Sequence, residues 1–389
     1  MAHMPEKFAE LLTVAVRTIA VRRNRTVASI QDELGYILGR EGGSAIEYWR
    51  KGHVPANLVD LELLAETLVK QNGLNQAQLE LFLRSGGHPS PEAVSPRLFL
   101  SLTPGSPAPN QPARQLSPFI VGLPITRPRQ FFGRERELKR IFALWRRFPL
   151  QNVALIGWQR SGKSSLLHYL KTITQTPAGE LRPGQRHDWL PQPERYRWIF
   201  IDFQDARMGN RERLLRYLLA GLELPIPEPC NLDNFMDVMS RRLRSPAIIL
   251  MDEIGAGLAA PELDQSFWWS LRSLVSHYTQ GNLAFGLTSH RSPAQLAEAQ
   301  GKPSPFFNLF YTLELGPLTD EEAQALVASS PKPFPPVDIA WILEQSGGWP
   351  CLLQILGQTR LIALEEGQTD QAWREDGLRQ IEPFRYLLA

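Results

Sequence analysis

The chain has 389 residues, 43% of them hydrophobic and 21% charged, with a formal net charge of +2. This is the make-up of an ordinary globular protein with room for two or three domains, and so small a net charge excludes a global basic footprint, so that any nucleic-acid contact has to be local. Two cysteines, Cys230 and Cys351, exclude a disulfide framework, seven histidines show no metal-ligand spacing, and no apolar run or leader pattern suggests a membrane span or export, so a cytoplasmic protein with no membrane partner is expected.

Met1-Ala2-His3-Met4 reads as a remnant of expression cloning. From Phe8 to Asn24 apolar residues recur at helical spacing (Phe8, Leu11, Leu12, Ala15, Val16, Ile19), and the basic cluster Arg22, Arg23 and Arg25 follows. Thr26 is a cap for a second helix through Leu34, stopped by Gly35; Ser44 is a cap for a short helix from Ala45 to Lys51, stopped by Gly52; Pro55 and Asn57 open a last helix. Short helices with a tight turn predict an all-α helix-turn-helix bundle over residues 5–84. The run Trp49-Arg50-Lys51-Gly52-His53-Val54-Pro55 resembles the repressor-type helix-turn-helix family, in which a similar pattern closes the recognition helix. That resemblance implies duplex DNA as partner and places Ser44, Glu47, Arg50 and Lys51 to meet bases or phosphates. Asp32, Glu33, Glu41 and Glu47 nearly offset the basic residues, which keeps open a helical adaptor that binds protein.

Residues 85–129 are dense in Pro, Ser and Gly, lack periodicity except for Leu98-Phe99-Leu100, and read as a linker. Phe131-Phe132-Gly133-Arg134-Glu135-Arg136-Glu137-Leu138 then leads into a helix to Phe148. The buried-strand run Asn152-Val153-Ala154-Leu155-Ile156 is followed by Gly157-Trp158-Gln159-Arg160-Ser161-Gly162-Lys163-Ser164 and a helix start. This is GxxxxGKS between strand and helix, the context a phosphate-binding loop requires. Its backbone N–H groups and helix N-terminus suit phosphate oxygens, so Gly157, Arg160, Ser161, Gly162, Lys163, Ser164 and Ser165 are expected to bind nucleotide. Lys163 is expected at the β- and γ-phosphates and the Ser164 hydroxyl on Mg²⁺.

Arg182 to Arg197 reads as an exposed polar insertion. Trp198–Phe203 is a second strand and helices follow around Leu214 and Leu232. Ala247-Ile248-Ile249-Leu250-Met251-Asp252-Glu253 is an apolar strand ending in two acids: Asp252 is the expected Mg²⁺ partner and Glu253 the base that orients an attacking water. Phe267-Trp268-Trp269 reads as core, Asn282–Thr288 as a strand with Ser289-His290-Arg291 at its tip, Ser304–Asn308 as a loop that covers the site, and Tyr311–Leu315 as a fifth strand. Thr319 and Glu322 form a capping box, and Gly347-Gly348-Trp349-Pro350 precedes a helix.

From Phe131 to about Gln380 these motifs, in this order, resemble the STAND-class signal-transduction ATPases and related AAA+ ATPases. The resemblance implies an α/β P-loop NTPase core (residues 130–316) with a doubly wound parallel sheet in the order 5-1-4-3-2, and a helical lid (residues 317–389). It implies that Phe132, Gly133 and Arg134 pass over the adenine, that Trp349 and Pro350 meet it from the lid, and that Arg291 senses the γ-phosphate. Lys163, Asp252, Glu253 and Arg291 are then the expected catalytic set, with ATP/ADP and Mg²⁺ as cofactors. The expected function is a slowly hydrolysing ATP switch that controls the N-terminal DNA-binding bundle and forms a homo-oligomer in its ATP state. Two alternatives stay open: a signalling or defence scaffold with a protein-binding bundle, and a DNA-templated AAA+ remodeller.

Overall fold

The structure, a computed structural model, describes residues 4–22, 25–40, 42–71, 73–74, 76–92, 117–368 and 370–388, which fall into two units divided between Leu116 and Ser117. The described part of the first unit is five helices: α1 (Met4–Arg22), α2 (Val27–Ile37), α3 (Ser44–Arg50), α4 (Leu58–Lys70) and α5 (Gln76–Ser85). Thr26 and Asn57 cap α2 and α4, accepting from the N–H groups of Ser29 and Asp60. Their apolar faces meet around Phe8, Leu12, Ile30, Trp49, Leu64 and Phe82. Three expectations change. Helix α2 continues through Gly35, whose bare Cα lets the backbone of Gly42 approach so closely that a Cβ would lie 2.0 Å from its oxygen. Ser44 is the first residue of α3 and not its cap; the preceding Gly43 N–H is held by Asp32 Oδ1 at 2.7 Å. And α5, which sequence reading passed over, closes the bundle by stacking Phe82 on Phe8 at 4.5 Å. Leu98-Phe99-Leu100 lies outside the described residues.

In the second unit five strands, β1 (Asn152–Ile156), β2 (Arg197–Asp202), β3 (Ala247–Asp252), β4 (Leu283–Ser289) and β5 (Phe310–Glu314), form one parallel sheet in the order 2-3-4-1-5, which from the other edge reads 5-1-4-3-2. Every residue of β3 and β4 is buried, as the unbroken apolar runs demand of strands covered on both faces. Alternation divides them: Ile248 and Leu250 pack with α6 (Glu135–Trp145) and α7 (Lys163–Thr172) on one face. Ile249 and Met251 pack with α8 (Arg211–Gly221), α9 (Leu232–Arg242) and α11 (Gln265–Ser273) on the other. Short helices α10 (Ile254–Ala259) and α12 (Pro293–Ala299) follow β3 and β4. The lid is α13 (Asp320–Val327), α14 (Pro336–Ser346), α15 (Pro350–Glu365), α16 (Ala372–Ile381) and a final 3-10 turn, Glu382–Leu387.

The second unit corrects four further expectations. The stretch from Ser117 to Arg129, read as linker, belongs to this unit: Phe119 is buried in the lid core against Gly357, where a Cβ would lie 2.5 Å from its ring. The insertion after Arg182 is anchored by buried Trp189 and Leu190, with Trp189 stacked on Phe142 at 5.0 Å. Ser304–Asn308 does not cover a site, since Phe306 and Phe307 turn into the core beside Trp268. Of the tryptophan pair, Trp268 is core and Trp269 is half exposed. In the first three cases a few large apolar side chains outweigh a polar or Pro-rich neighbourhood.

The lid buries a charge cluster: Asp338 Oδ2 pairs with Arg360 Nε at 2.8 Å and Oδ1 accepts from Arg374 Nη2 at 3.1 Å, with both guanidinium groups against Trp373. Removing the carboxylate leaves the buried Arg360 and the partly exposed Arg374 without their anion. Asp338→Ala is therefore expected to lower the urea-unfolding free energy by about 3–5 kcal/mol, and a loss under about 1 kcal/mol would show that the pair is not desolvated.

Candidate functional site: a phosphate loop between sheet and lid

The parallel register brings the carboxyl ends of β1, β3 and β4 together: Ile156 stands beside Ser289, Met251 beside Leu287. The chain leaves β1 with Gly157 N–H bonded to the Ser289 carbonyl at 3.2 Å. Gly157 sits where a Cβ would meet the Leu315 carbonyl at 2.7 Å. Gly162, at φ +91°, makes the left-handed turn that starts α7 and directs the first-turn N–H groups back into the loop. Lys163 is buried and donates to the carbonyls of Gly157 at 2.9 Å and Trp158 at 2.8 Å. Burial holds its ammonium below the ordinary lysine range, while Glu253 and Asp252 act in the opposite direction. The Ser161 hydroxyl is buried without a hydrogen-bond partner.

Asp252 is buried and its Oδ1 accepts from Thr288 Oγ1 at 2.5 Å; the same hydroxyl accepts from Glu253 N–H at 2.9 Å. One threonine on β4 thus fixes both acidic residues at the end of β3. Glu253 adopts φ 52° and ψ 55°, and its carboxylate has no hydrogen-bond or ion-pair partner among the described residues. Sequence reading passed over Thr288 because a hydroxyl at the end of an apolar strand carries no motif.

A cavity of about 270 Å³ lies over this loop. It is lined by Phe132, Arg134, Arg160, Ser161, Gly162, Lys163, Ser164, Ser165, Glu253 and Pro350 from the expected set, and by the strap Ile120–Ile125, Leu318, Leu326, Cys351 and Gln354, which sequence reading missed. The strap spans the cavity's rim: Ile120 N–H donates to Gln354 Oε1 of α15 at 2.8 Å and Ile125 N–H to Ser165 Oγ of α7 at 3.0 Å. Its detectable signal was the apolar triplet Phe119-Ile120-Val121 within Pro-rich sequence.

Five expected residues do not line the cavity. Gly157 and Asp252 lie beneath its floor. Gly133 faces Glu322, whose carboxyl carbon would be 2.9 Å from a Cβ there. Its openness serves helix packing, since Glu322 both completes the Thr319 capping box and accepts from Glu135 N–H at 3.1 Å. Trp349 is turned into the lid core. Arg291 is exposed just past the tip of β4. Arg134 does line the cavity, but its buried guanidinium is committed to the carbonyls of Ser161, Gly316 and Pro317. Phe132 is covered by Arg182, whose guanidinium carbon is 3.8 Å from the ring centre.

Five described residues other than glycine have positive φ, and three of them, Arg134, Arg160 and Glu253, line this cavity. Each such backbone costs about 1–3 kcal/mol and persists only where its surroundings hold it. In the N-terminal unit, Glu47 and Lys51 pair with each other, and Arg50 Nε donates to Thr13 Oγ1 at 3.2 Å; Ser44 is exposed.

No protein-family model matches the sequence, and neither does any curated protein. Among solved structures the chain is similar to the Walker-type ATPase PABY2304 of Pyrococcus abyssi (17% identity, TM-score 0.45, over 67% of this chain and 75% of that one). It is similar also to the ORC2 protein of Aeropyrum pernix (14%, 0.47, over 65% and 70%). A third likeness is to domain III of the Thermotoga maritima replication initiation protein DnaA (13%, 0.41, over 65% and 92%). At these scores the likeness is one of coarse shape, and the chemistry has to be read from this chain's own residues.

Thr288→Val removes the hydroxyl that holds Asp252 and the Glu253 N–H. Leaving two buried polar groups unpaired is expected to destabilise the second unit by about 2–4 kcal/mol in chemical denaturation, and a change below about 0.5 kcal/mol would show that the bridge is not formed.

Proposed function

We propose that the second unit is an ATP-dependent switch of the STAND type, within the broader AAA+ group of P-loop ATPases. The observation that carries this reading is a single cavity whose wall is shared by the phosphate loop, Glu253, the strap and the lid residues Pro350, Cys351 and Gln354. A ligand touching all four stabilises the arrangement in which they meet, which is what a nucleotide-state switch requires.

The residues fit the ligand. Ser161 Oγ is a buried hydroxyl without a hydrogen-bond partner among the described residues, Lys163 supplies a partly desolvated cation, and the start of α7 adds its positive end. A magnesium ion would be held by the Ser164 hydroxyl and Asp252 with phosphate oxygens and water. Among the described residues no cluster of three His, Cys, Asp or Glu offers an all-protein site, which accords with how Mg²⁺ is bound beside phosphates. It would supply charge neutralisation at those phosphates. Glu253, free of partners, is placed to take a proton from water; Asp252, locked by Thr288, is placed to hold position. Arg291 would need to swing inward to reach a γ-phosphate.

Calorimetric titration tests this. The unaltered protein is expected to bind ATP·Mg²⁺ and Lys163→Ala to lose that binding. Glu253→Gln is expected to keep binding while phosphate release slows by about 10²-fold or more, and unchanged turnover would remove Glu253 from the role of base.

The N-terminal unit is the proposed output, with duplex DNA as its partner through α3. A second reading, in which the bundle recruits a protein, is favoured by one observation: the Lys51 charge is paired with Glu47 and Arg50 Nε is committed to Thr13 Oγ1, which leaves the Arg50 charge as the one on α3 without an anionic partner among the described residues. DNA titrations at two salt concentrations separate them. DNA binding that weakens with salt and is lost in Arg50→Ala/Lys51→Ala supports the first; no binding at low salt supports the second. ATP-driven growth in mass by light scattering, with and without DNA, distinguishes a self-assembling scaffold from a DNA-templated remodeller.

A further inference from the structure

The exposed tip of the phosphate loop touches the last turn of the lid. Trp158 is 63% exposed and its ring lies 6.3 Å from that of Tyr386, tilted by 52°. Two residues on, Arg160 sits at φ 66° with its guanidinium 4.6 Å from the ring centre of Phe384. Phe384 and Tyr386 belong to the 3-10 turn Glu382–Leu387, which is fastened to the lid core by Leu387 and Phe384. The phosphate loop needs its glycines, lysine and serine for anion binding; Trp158 and Arg160 occupy positions that this chemistry leaves unspecified. Here they form a contact between sheet and lid, Trp158 outside the cavity lining and Arg160 at its edge.

The same tip is tied inward by Lys163, which donates to the Trp158 carbonyl at 2.8 Å and to that of Gly157 at 2.9 Å. A phosphate oxygen is a charged acceptor and competes strongly with a neutral carbonyl for an ammonium group. When Lys163 turns to a phosphate, the Trp158 carbonyl keeps the Ser161 N–H at 3.2 Å but loses its charged donor, and the backbone from Trp158 to Arg160 is held less firmly in the conformation that meets the turn.

We propose that Trp158 and Arg160 are a phosphate-responsive latch: they clasp Phe384 and Tyr386 while Lys163 is bonded to the loop's own carbonyls, and release the lid's last turn when phosphate draws Lys163 away. This rests on the reading that nucleotide phosphates enter this loop. The coupling is reciprocal, so weakening the clasp favours the phosphate-bound state by the same factor.

The test uses the full-length protein, with Tyr386→Ala, Trp158→Ala and the double variant; both side chains are exposed enough that truncation should spare the fold. Calorimetry measures the dissociation constants of ATP·Mg²⁺ and of adenosine, which has the base and no phosphate. Each single variant is expected to bind ATP·Mg²⁺ about fivefold more tightly, with no further gain in the double variant and no change for adenosine. Unaltered protein that binds ATP·Mg²⁺ together with a Tyr386→Ala affinity that is unchanged or weaker overturns the latch alone. Equal tightening for adenosine overturns it too, because the effect then does not pass through phosphate. Unaltered protein that takes up no ATP·Mg²⁺ overturns the nucleotide reading, and the latch with it.

Discussion

One guanidinium holds the site in register. Arg134, at the head of α6, reaches the Ser161 carbonyl in the phosphate loop and the Gly316 and Pro317 carbonyls where β5 passes into the lid. Three segments distant in sequence meet at that point. A planar group with five fixed donors is suited to gathering carbonyls from different directions, and a lysine could not match the geometry. Its burial lowers the affinity of the side chain for its proton, while the carboxylates of Glu137 and Glu322 act in the opposite direction and the carbonyls satisfy its donors. The residue stands at φ 64°, a conformation that places its side chain under the loop, and the capping carboxylate of Glu322 secures the neighbouring Glu135 N–H. The loop's shape is therefore set from outside the loop.

This explains which parts of the molecule could be read from sequence. The phosphate loop and the acidic strand end were legible because their chemistry is local: the spacing of Gly157, Gly162, Lys163 and Ser164 defines a backbone path, and Asp252 and Glu253 follow an unbroken apolar strand. What escaped depends on contacts between distant segments. The strap was hidden because Pro and Gly weaken any periodic signal, while its structure comes from Phe119 lying on Gly357, hundreds of positions away. Gly133 and Arg134 were legible as important, yet their partners are the lid and loop backbone, which no local pattern names. Thr288 is one hydroxyl in an apolar strand, visible only once register sets it beside Asp252.

Charge is arranged to match. Lys163 is partly desolvated, and the two carboxylates that act on it differ in their freedom. Asp252 is bonded and buried; Glu253 borders the cavity with an open carboxylate. A pair of acids held by a single threonine, one fixed and one free, suits the proposed division between a holding and a proton-accepting role.

The lid is joined to the sheet at more than one place, and the joints differ in kind. The strap and Arg134 are held by hydrogen bonds between a backbone group and a side chain, and the Asp338 cluster ties α14 to α15 and α16 within the lid. The aromatic contacts at Trp158 and Arg160 are exposed, small in area and directional only loosely, so they contribute little to stability. Of the two kinds of joint, the aromatic one at the loop tip is the easier to break. The weak side is the loop tip, whose conformation depends on where the Lys163 ammonium finds its acceptor.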